Sequence, residues 1–218
     1  MIPQTELGRR EAAFDAVAVA TSRGGLRALG ALLSRLPADF SAAVLVVQHH
    51  TASSGSLLSA ILAARSPLPV REVRGGEAMQ PGVVYVAPPD RHLQVSAARV
   101  LRLSSAPKVS FARPSADVLF ESAAGAFGPR ALGVVLTGNL HDGARGVRAI
   151  KAGRGRVIVQ DEATSEAFGM PRAAIATGCV DFVLPLERIA SALVTLVMVP
   201  GAAELFKVPI APWAHLGG

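Results

Sequence analysis

The chain has little cysteine, few aromatic residues and no long apolar segment. Of its 218 residues one is a cysteine, Cys179, and 5% are aromatic. A single cysteine excludes an internal disulfide framework and a cysteine-based zinc site. The best apolar run, residues 192–199, is less than half of the ~20 residues that a membrane-spanning helix needs. Residues 1–20 lack the basic start and continuous apolar stretch of a secretory signal. We therefore expect a cytoplasmic protein without direct membrane insertion.

The charge balance is basic, with a formal net charge of +6. Most of the basic residues are arginines scattered along the chain, with no basic stretch interleaved with aromatics and no recognition-helix or zinc-finger signature. This pattern favours solubility and attraction to an acidic protein surface over nucleic-acid binding. Because half of the residues are apolar and 17% are charged, the chain as a whole is not a disordered one.

Short apolar runs alternate with segments of helical spacing. The runs are apolar on both faces, as in parallel strands buried between helix layers. This alternation predicts an α/β fold: a doubly wound, mainly parallel sheet with helices on both faces. The predicted strands are residues 14–20, 43–47, 83–87, 131–136 and 156–160, and the predicted helices are 26–36, 57–62, 116–126, 147–151, 171–177 and 186–197.

Two regions depart from the alternation. Residues 66–103 contain short runs and turns, which predict a small antiparallel β insertion. The two ends of the chain, residues 1–13 and 201–218, are predicted to be extensions outside the core. The sequence therefore predicts one domain over residues 14–200.

Three candidate catalytic side chains follow three of the apolar runs. Ser22, His49 and Asp142 stand where predicted strands end, and ligands of open α/β sheets bind beyond those ends. A histidine can remove the proton of a serine nucleophile, and an aspartate can hold the histidine in the required tautomer. Gly24 and Gly25 permit a tight strand-to-helix turn that exposes the hydroxyl and aims backbone N–H groups at a developing oxyanion.

Placement alone leaves other roles open for these residues. Ser22 could cap the following helix, His49 could be a hydrogen-bonded histidine at a strand end, and Asp142 could be the N-cap of the next helix. The chain order Ser, His, Asp and the lack of a Gly-x-Ser-x-Gly elbow disfavour a lipase-type α/β-hydrolase.

A metal site and a phosphate loop are also disfavoured. His49 and His50 are adjacent, and neighbours on an extended chain point to opposite sides, so they do not share a metal ion. Gly24–Gly25 lacks the Gly-x-Gly-x-x-Gly and Walker patterns of phosphate-binding loops. We expect no metal and no cofactor.

The segments around the three side chains resemble motifs of CheB-type chemotaxis receptor methylesterases, or protein-glutamate methylesterases. Residues 20–25 resemble that family's Gly-Ala-Ser-Thr-Gly-Gly, residues 48–50 its Gln-His-Met, and residues 136–143 its Leu-Thr-Gly-Met-Gly-x-Asp-Gly. Further landmarks fall at residues 81–92, 113–120 and 168–175 in the family's order, and the similarity covers residues 17–198.

This resemblance implies a doubly wound α/β domain that hydrolyses glutamyl methyl esters on cytoplasmic helices of chemoreceptors, without metal or cofactor. It implies Ser22 as nucleophile, His49 as general base and Asp142 as the residue that orients His49. Backbone N–H groups near Arg23 and Asn139 are our candidates for the oxyanion hole. Glutamine deamidation is expected as a second activity, because amide and ester hydrolysis share a tetrahedral oxyanion intermediate.

Regulation is expected to differ from the family's usual arrangement. Its enzymes commonly carry an N-terminal receiver domain whose phosphorylation relieves inhibition. The given sequence has no room for one before Phe14, so we expect that control to be absent or supplied by another protein.

Three departures from the family motifs flank the candidate triad. Arg23 replaces the usual threonine, Asn139 the usual methionine, and Leu140 a glycine. If position 140 needs a positive φ, a leucine there is strained or the loop has moved. Arg23 either clamps an acidic neighbour on a receptor helix or blocks the pocket. These departures motivate an alternative function, a catalytically weakened regulatory module that binds receptors or signalling proteins. A third possibility is an esterase or amidase for small substrates.

Overall fold

The computed structural model describes residues 13–49, 57–199 and 201–202. Within them, nine strands and six α-helices follow one another along the chain. The strands are β1 (Ala16–Thr21), β2 (Ala43–Gln48), β3 (Val70–Glu72), β4 (Val84–Val86), β5 (His92–Val95), β6 (Leu101–Ser104), β7 (Ala131–Val135), β8 (Arg156–Gln160) and β9 (Phe182–Leu184). The helices are α1 (Gly25–Leu33), α2 (Leu58–Ala63), α3 (Ala116–Phe127), α4 (Ala144–Ala152), α5 (Gly169–Ala176) and α6 (Leu186–Met198).

Seven of the strands form one parallel sheet in the order β3-β4-β2-β1-β7-β8-β9. β1 lies at its centre and pairs with β2 on one side and β7 on the other, so that Ala16 is in register with both Ala43 and Ala131. After β1, the chain first forms β2, β3 and β4 on one side of it and later forms β7, β8 and β9 on the other side. The carboxyl ends of β1 and β7 therefore flank the switch point in strand order, where ligands of such sheets bind.

Both faces of the sheet are covered, and alternate residues of β1 supply both cores. Ala16, Ala18 and Ala20 pack in the cluster that includes apolar residues of α3, α4 and α5. Val17 and Val19 pack in the cluster that includes residues of α1 and α6. Side chains of a strand alternate between the two faces of the sheet, so a strand that is buried on both sides is apolar at every position. The predicted doubly wound α/β fold is confirmed.

The predicted small antiparallel β insertion is confirmed, but it occupies less of residues 66–103 than predicted. β3 and β4 from this region extend the main parallel sheet, and only β5 and β6 pair with each other antiparallel. β9 was not predicted at all. It has three half-buried or exposed residues at the edge of the sheet, too few for an apolar pattern to stand out.

None of the helices in the described part of the chain has the length and apolar character that a membrane crossing requires. The division into a domain over residues 14–200 and two extensions stays a prediction, because residues 1–12, 200 and 203–218 lie outside the described residues.

Candidate active site

The three candidate catalytic residues come from three adjacent strands. Ser22 follows β1, His49 follows β2, and Asp142 lies in the loop between β7 and α4. Because β1 lies between β2 and β7, Ser22 ends the middle strand of the three. The backbone N–H of His49 donates to the Thr21 carbonyl and that of Ser22 to the Thr137 carbonyl, both at 3.0 Å. The three loops are thus joined directly where the strands end.

His49 and Asp142 are hydrogen-bonded to each other. The distance from His49 Nε2 to Asp142 Oδ2 is 2.7 Å, and the two side chains are 19% and 1% exposed. A carboxylate only accepts hydrogen bonds, so it holds the imidazole proton on Nε2 and leaves Nδ1 as the basic ring nitrogen. The pair therefore consists of a buried anion and an imidazole in one defined tautomer.

The carboxylate of Asp142 also caps helix α3. Its Oδ2 accepts the backbone N–H of Ala116 at 2.6 Å, and its Oδ1 accepts the N–H of Asp117 at 3.1 Å and the Ser115 hydroxyl at 2.8 Å. Burial acts to raise the pKa of Asp142, but the His49 ring and the helix N–H groups outweigh it, so this pKa lies below its ordinary value. Asp142 is therefore an anion at neutral pH.

A second buried carboxylate, that of Asp117, reciprocates this capping. Asp117 stands in the first turn of α3, but its Oδ1 accepts the N–H groups of Gly143 and Gly146 at the start of α4, at 3.0 and 2.8 Å. Burial is the main cause that raises the pKa of Asp117, and the charge of Asp142 raises it further against the Gly146 hydrogen bond. Asp142, which precedes α4, thus stabilises the N-terminus of α3, and Asp117, which lies in α3, stabilises the N-terminus of α4.

The turn after Ser22 is so tight that a side chain at Gly24 or Gly25 would collide with neighbouring residues. Gly24 has φ +77° and is the N-cap of α1. A Cβ on Gly25 would lie 1.9 Å from Gln48 Oε1 and 2.5 Å from Thr21 Oγ1, so both of these side chains would have to move. The Gln48 amide in turn donates to the carbonyls of Ser22 and His49, at 2.7 and 2.8 Å. Gln48 therefore holds the backbones of the candidate nucleophile and the candidate base together.

The loop after β7 is tied to the nucleophile turn by Thr137. Its hydroxyl donates to the carbonyl of Arg23 at 2.9 Å and accepts the N–H of Ala167 at 2.9 Å. The next residue, Gly138, exchanges backbone hydrogen bonds with Ala167 and Met170, both at 2.8 Å. The segment before and at the start of α5 therefore supports the loop that carries Asn139 and Asp142.

Position 140 does need a left-handed backbone, and Leu140 adopts it with φ +64°. Its side chain is 64% exposed. Because a leucine is unfavourable at positive φ, the backbone at Leu140 is strained.

Ser22, His49, Asn139 and Asp142 line one pocket of about 510 Å³. Among the described residues, neither the Ser22 hydroxyl nor the backbone N–H groups of Arg23 and Asn139 have a hydrogen-bond partner. Substrate-free active sites commonly hold such contacts open until substrate binds. These groups are therefore free to act on a bound molecule.

Arg23 does not block this pocket. Its guanidinium forms a 3.3 Å ion pair with Glu166 and is largely exposed, and neither Arg23 nor Gly24 is among the described residues that line the pocket. Of the two roles expected for Arg23, the structure contradicts the blocking one.

The capping roles considered from the sequence are corrected by the structure. Gly24, not Ser22, is the N-cap of α1, and Ser115 occupies the N-cap of α3 without a capping hydrogen bond from its own side chain. Asp142 caps α3 rather than the helix that follows it. Ser115 precedes α3 and is a residue type common at N-caps, but a side chain from a distant loop supplies the capping hydrogen bonds instead.

Three supporting residues, Gln48, Thr137 and Asp117, were not predicted as part of the site. All three belong to the motif segments, and the polar character of a residue at the end of an apolar strand was a further signal for Gln48 and Thr137. In residues 13–49, 57–199 and 201–202, no group of three or more His, Cys, Asp or Glu side chains has the arrangement of a metal site. His50 lies outside the described residues.

Known proteins are similar to this chain in sequence and in fold. The CheB methylesterase family model matches residues 17–193. A protein-glutamate methylesterase/protein-glutamine glutaminase 2 from Anaeromyxobacter dehalogenans is 48% identical over 84% of this chain and 54% of its own length. A putative protein-glutamate methylesterase/protein-glutamine glutaminase from Leptospira interrogans is 38% identical over 84% of this chain and 95% of its own length.

A solved structure agrees with these sequence matches. The CheB methylesterase catalytic domain of Thermotoga maritima superposes with a TM-score of 0.82 and 36% identity, over 84% of this chain and 99% of that one. The chain spans about half the length of several curated relatives, such as those from Anaeromyxobacter dehalogenans and Moorella thermoacetica. The family match covers β2, β7 and all of β1 after Ala16, together with the loops that carry Ser22, His49 and Asp142. On these grounds the chain belongs to the CheB methylesterase family.

Proposed function

We propose that this protein is a serine hydrolase that demethylates glutamyl methyl esters of chemoreceptor-like proteins. The observation that carries the proposal is the 2.7 Å hydrogen bond between His49 Nε2 and Asp142 Oδ2 in the pocket that Ser22 also lines. A buried carboxylate that fixes the tautomer of a histidine, in a pocket that a serine hydroxyl also lines, supplies the His–Asp half of a Ser-His-Asp triad and the nucleophile that the triad needs.

The first half of the reaction forms an acyl-enzyme. His49 Nδ1 takes the proton of the Ser22 hydroxyl as Ser22 Oγ bonds to the ester carbonyl carbon. The carbon–methoxy bond then breaks, and methanol leaves with that proton. Asp142 stabilises the imidazolium that exists between these two steps.

The second half repeats the chemistry with water. His49 removes a proton from a water molecule, whose oxygen bonds to the acyl carbon, and Ser22 Oγ leaves and regains a proton. The N–H groups of Asn139 and Arg23, which are unpaired among the described residues, stabilise the oxyanion in both halves. Asn139 is the stronger candidate of the two, because it lines the pocket.

The names of the relatives support the choice of substrate. They are called protein-glutamate methylesterase/protein-glutamine glutaminase, so we assign glutaminyl deamidation to the same site as a second activity. Its acyl-enzyme would be identical, with ammonia in place of methanol as the leaving group. The proposed substrates are cytoplasmic helices of methyl-accepting receptors, and we propose a cytoplasmic location for this protein on the same grounds.

The test is the release of methanol from a methylated receptor cytoplasmic fragment. The Ser22→Ala variant should lose turnover and keep the melting temperature of the native protein, because the Ser22 hydroxyl has no hydrogen-bond partner among the described residues. The matched control is Ser191→Ala, an exposed serine of α6, which should retain full turnover. Unchanged turnover in Ser22→Ala would refute the assignment, and receptor binding by the native protein without any turnover would favour the regulatory module instead.

A further inference from the structure

A tight turn beside the active-site pocket presents a phenylalanine to solvent. Val109 and Ala112 exchange two backbone hydrogen bonds, at 3.1 and 2.9 Å. The central residues, Ser110 and Phe111, both have positive φ values, +49° and +65°. This is the pattern of a type I′ turn, whose central positions favour asparagine and glycine. Serine and phenylalanine there oppose the intrinsic preference of the backbone.

Phe111 has no evident role in stabilising the fold. Its side chain is 82% exposed, so it gains little from burial. Leu140 repeats this combination, with a positive φ and an exposed apolar side chain, and both residues line the pocket that contains Ser22. Backbone strain at exposed apolar residues around a pocket is typical of contacts made with a ligand.

Hydrogen bonds of Ser110 and Arg113 fix the position of this turn. The Ser110 hydroxyl donates to Asp117 Oδ2 at 3.2 Å, which connects the turn to the carboxylates behind His49. On its other side, the Arg113 guanidinium donates to Asp90 Oδ1 at 2.6 Å and to the Ala106 carbonyl at 2.9 Å. A contact residue that is fixed before binding loses little entropy on binding.

The same pocket carries a positive charge that forms no ion pair with the described residues, although the Asp90 carboxylate, which also lines the pocket, lies within electrostatic range of it. Lys108 lines it and is exposed, and its ammonium group has no hydrogen bond or ion pair with a described residue. The other cation of the lining, Arg113, is paired with Asp90. A segment that binds here is therefore favoured when it brings a carboxylate to Lys108.

We propose that Phe111 and Leu140 form a docking surface for the protein segment that carries the glutamyl ester. The occupant has an apolar side chain next to the ester, which packs on Phe111 and Leu140, and an acidic side chain near Lys108. The inference rests on the proposed function and deepens it, because it assigns selection of the macromolecular substrate to residues outside the triad.

The test compares a large substrate with a small one. Phe111→Asn removes the ring and keeps a residue that tolerates positive φ, and Leu140→Asn does the same at the second position. Val183→Thr is the matched control, an exposed apolar residue of β9 outside the pocket lining. For each variant, kcat/KM is measured for methanol release from the methylated receptor fragment and for hydrolysis of p-nitrophenyl acetate.

We expect Phe111→Asn to lower kcat/KM for the receptor fragment at least about tenfold more than kcat/KM for the small ester, with a smaller effect of Leu140→Asn in the same sense. The control should match the native protein on both substrates. An equal loss on both substrates, or no loss on the receptor fragment, overturns the inference.

Binding separates this inference from the proposed function. If the native protein releases no methanol, the dissociation constant of the methylated fragment is measured for Ser22→Ala with and without Phe111→Asn. Binding that is about tenfold weaker without the ring supports the docking surface even when the hydrolase assignment has failed. Equal binding by the two proteins overturns the docking surface.

Discussion

The Asp142 carboxylate both orients His49 and caps helix α3, and replacing it by asparagine tests these two roles. The carboxylate accepts hydrogen bonds from four donors: His49 Nε2, the Ser115 hydroxyl and the N–H groups of Ala116 and Asp117. An asparagine amide has one acceptor oxygen, and its nitrogen only donates. The variant therefore has to leave some of these donors without a partner.

Two orientations of the new amide are available, and each has a distinct cost. With its oxygen towards His49 and Ala116, the amide nitrogen faces the Ser115 hydroxyl, which can turn to accept, and the N–H of Asp117, which cannot. With its oxygen towards Ser115 and Asp117, the nitrogen faces the N–H of Ala116, and His49 must switch to the tautomer that carries its proton on Nδ1. That histidine no longer takes the proton of a serine.

Either orientation leaves one buried N–H group unpaired, which costs about 1–3 kcal/mol. At roughly 2–4 °C per kcal/mol for a domain of this size, the melting temperature should fall by about 2–12 °C. Methanol release should fall in either orientation, because a neutral amide does not stabilise the imidazolium, and by about 10³–10⁴-fold in the second, which also removes the base. The assays are calorimetry and turnover of the methylated receptor fragment.

Ser115→Ala is the control, because it removes one hydrogen bond from Oδ1 and leaves the His49 contact in place. It should lose about 1 kcal/mol of stability and no more than about tenfold in turnover. If Asp142→Asn keeps turnover within about tenfold of the native rate, the reasoning that this carboxylate sets the tautomer of His49 is refuted.

Three further predictions concern stability. Leu140→Gly should raise the free energy of unfolding by about 1 kcal/mol in chemical denaturation, because the left-handed backbone costs a leucine about that much; no gain would mean that the leucine is not strained. Gly25→Ala should lower it by about 1–3 kcal/mol or more, because the new Cβ would lie 1.9 Å from Gln48 Oε1, and a native-like melting temperature would contradict this. The hydrogen bond and charge of Arg130 hold the pKa of Asp15 below its ordinary value in spite of burial. The stabilisation from Asp15 is therefore present above about pH 4 and is lost as the pH falls through the lowered pKa, so melting temperatures of the native protein and Asp15→Asn should converge in acid.

Much of the framework could be predicted from the sequence, because parallel strands buried on two sides must be apolar throughout. Residues 14–20, 43–47 and 131–136 were recognised on that basis and correspond to β1, β2 and β7. The rule that ligands bind at the carboxyl ends of such strands then pointed to Ser22 and His49. The edge strands escaped recognition, since β3 and β9 have three residues each and stand partly exposed.

The supporting contacts of the site could not be predicted in the same way. Ser115 precedes a helix and has the residue type of an N-cap, yet Asp142 supplies the capping hydrogen bonds. Which oxygen reaches a helix terminus depends on how α3 and α4 pack, and local sequence does not contain that information. The same holds for the contact between Ser110 and Asp117, which depends on the course of a loop with two positive φ values.

The crossed arrangement of Asp117 and Asp142 has a consequence for how this family can lose activity. A lineage that no longer needs hydrolysis can replace Ser22 at little structural expense, because its hydroxyl supports nothing else in the described part of the fold. Replacing Asp142 would loosen the start of α3 as well. Inactive descendants should therefore be found with a missing hydroxyl and an intact aspartate, and a comparison of natural sequences at these two positions would reveal that order of decay.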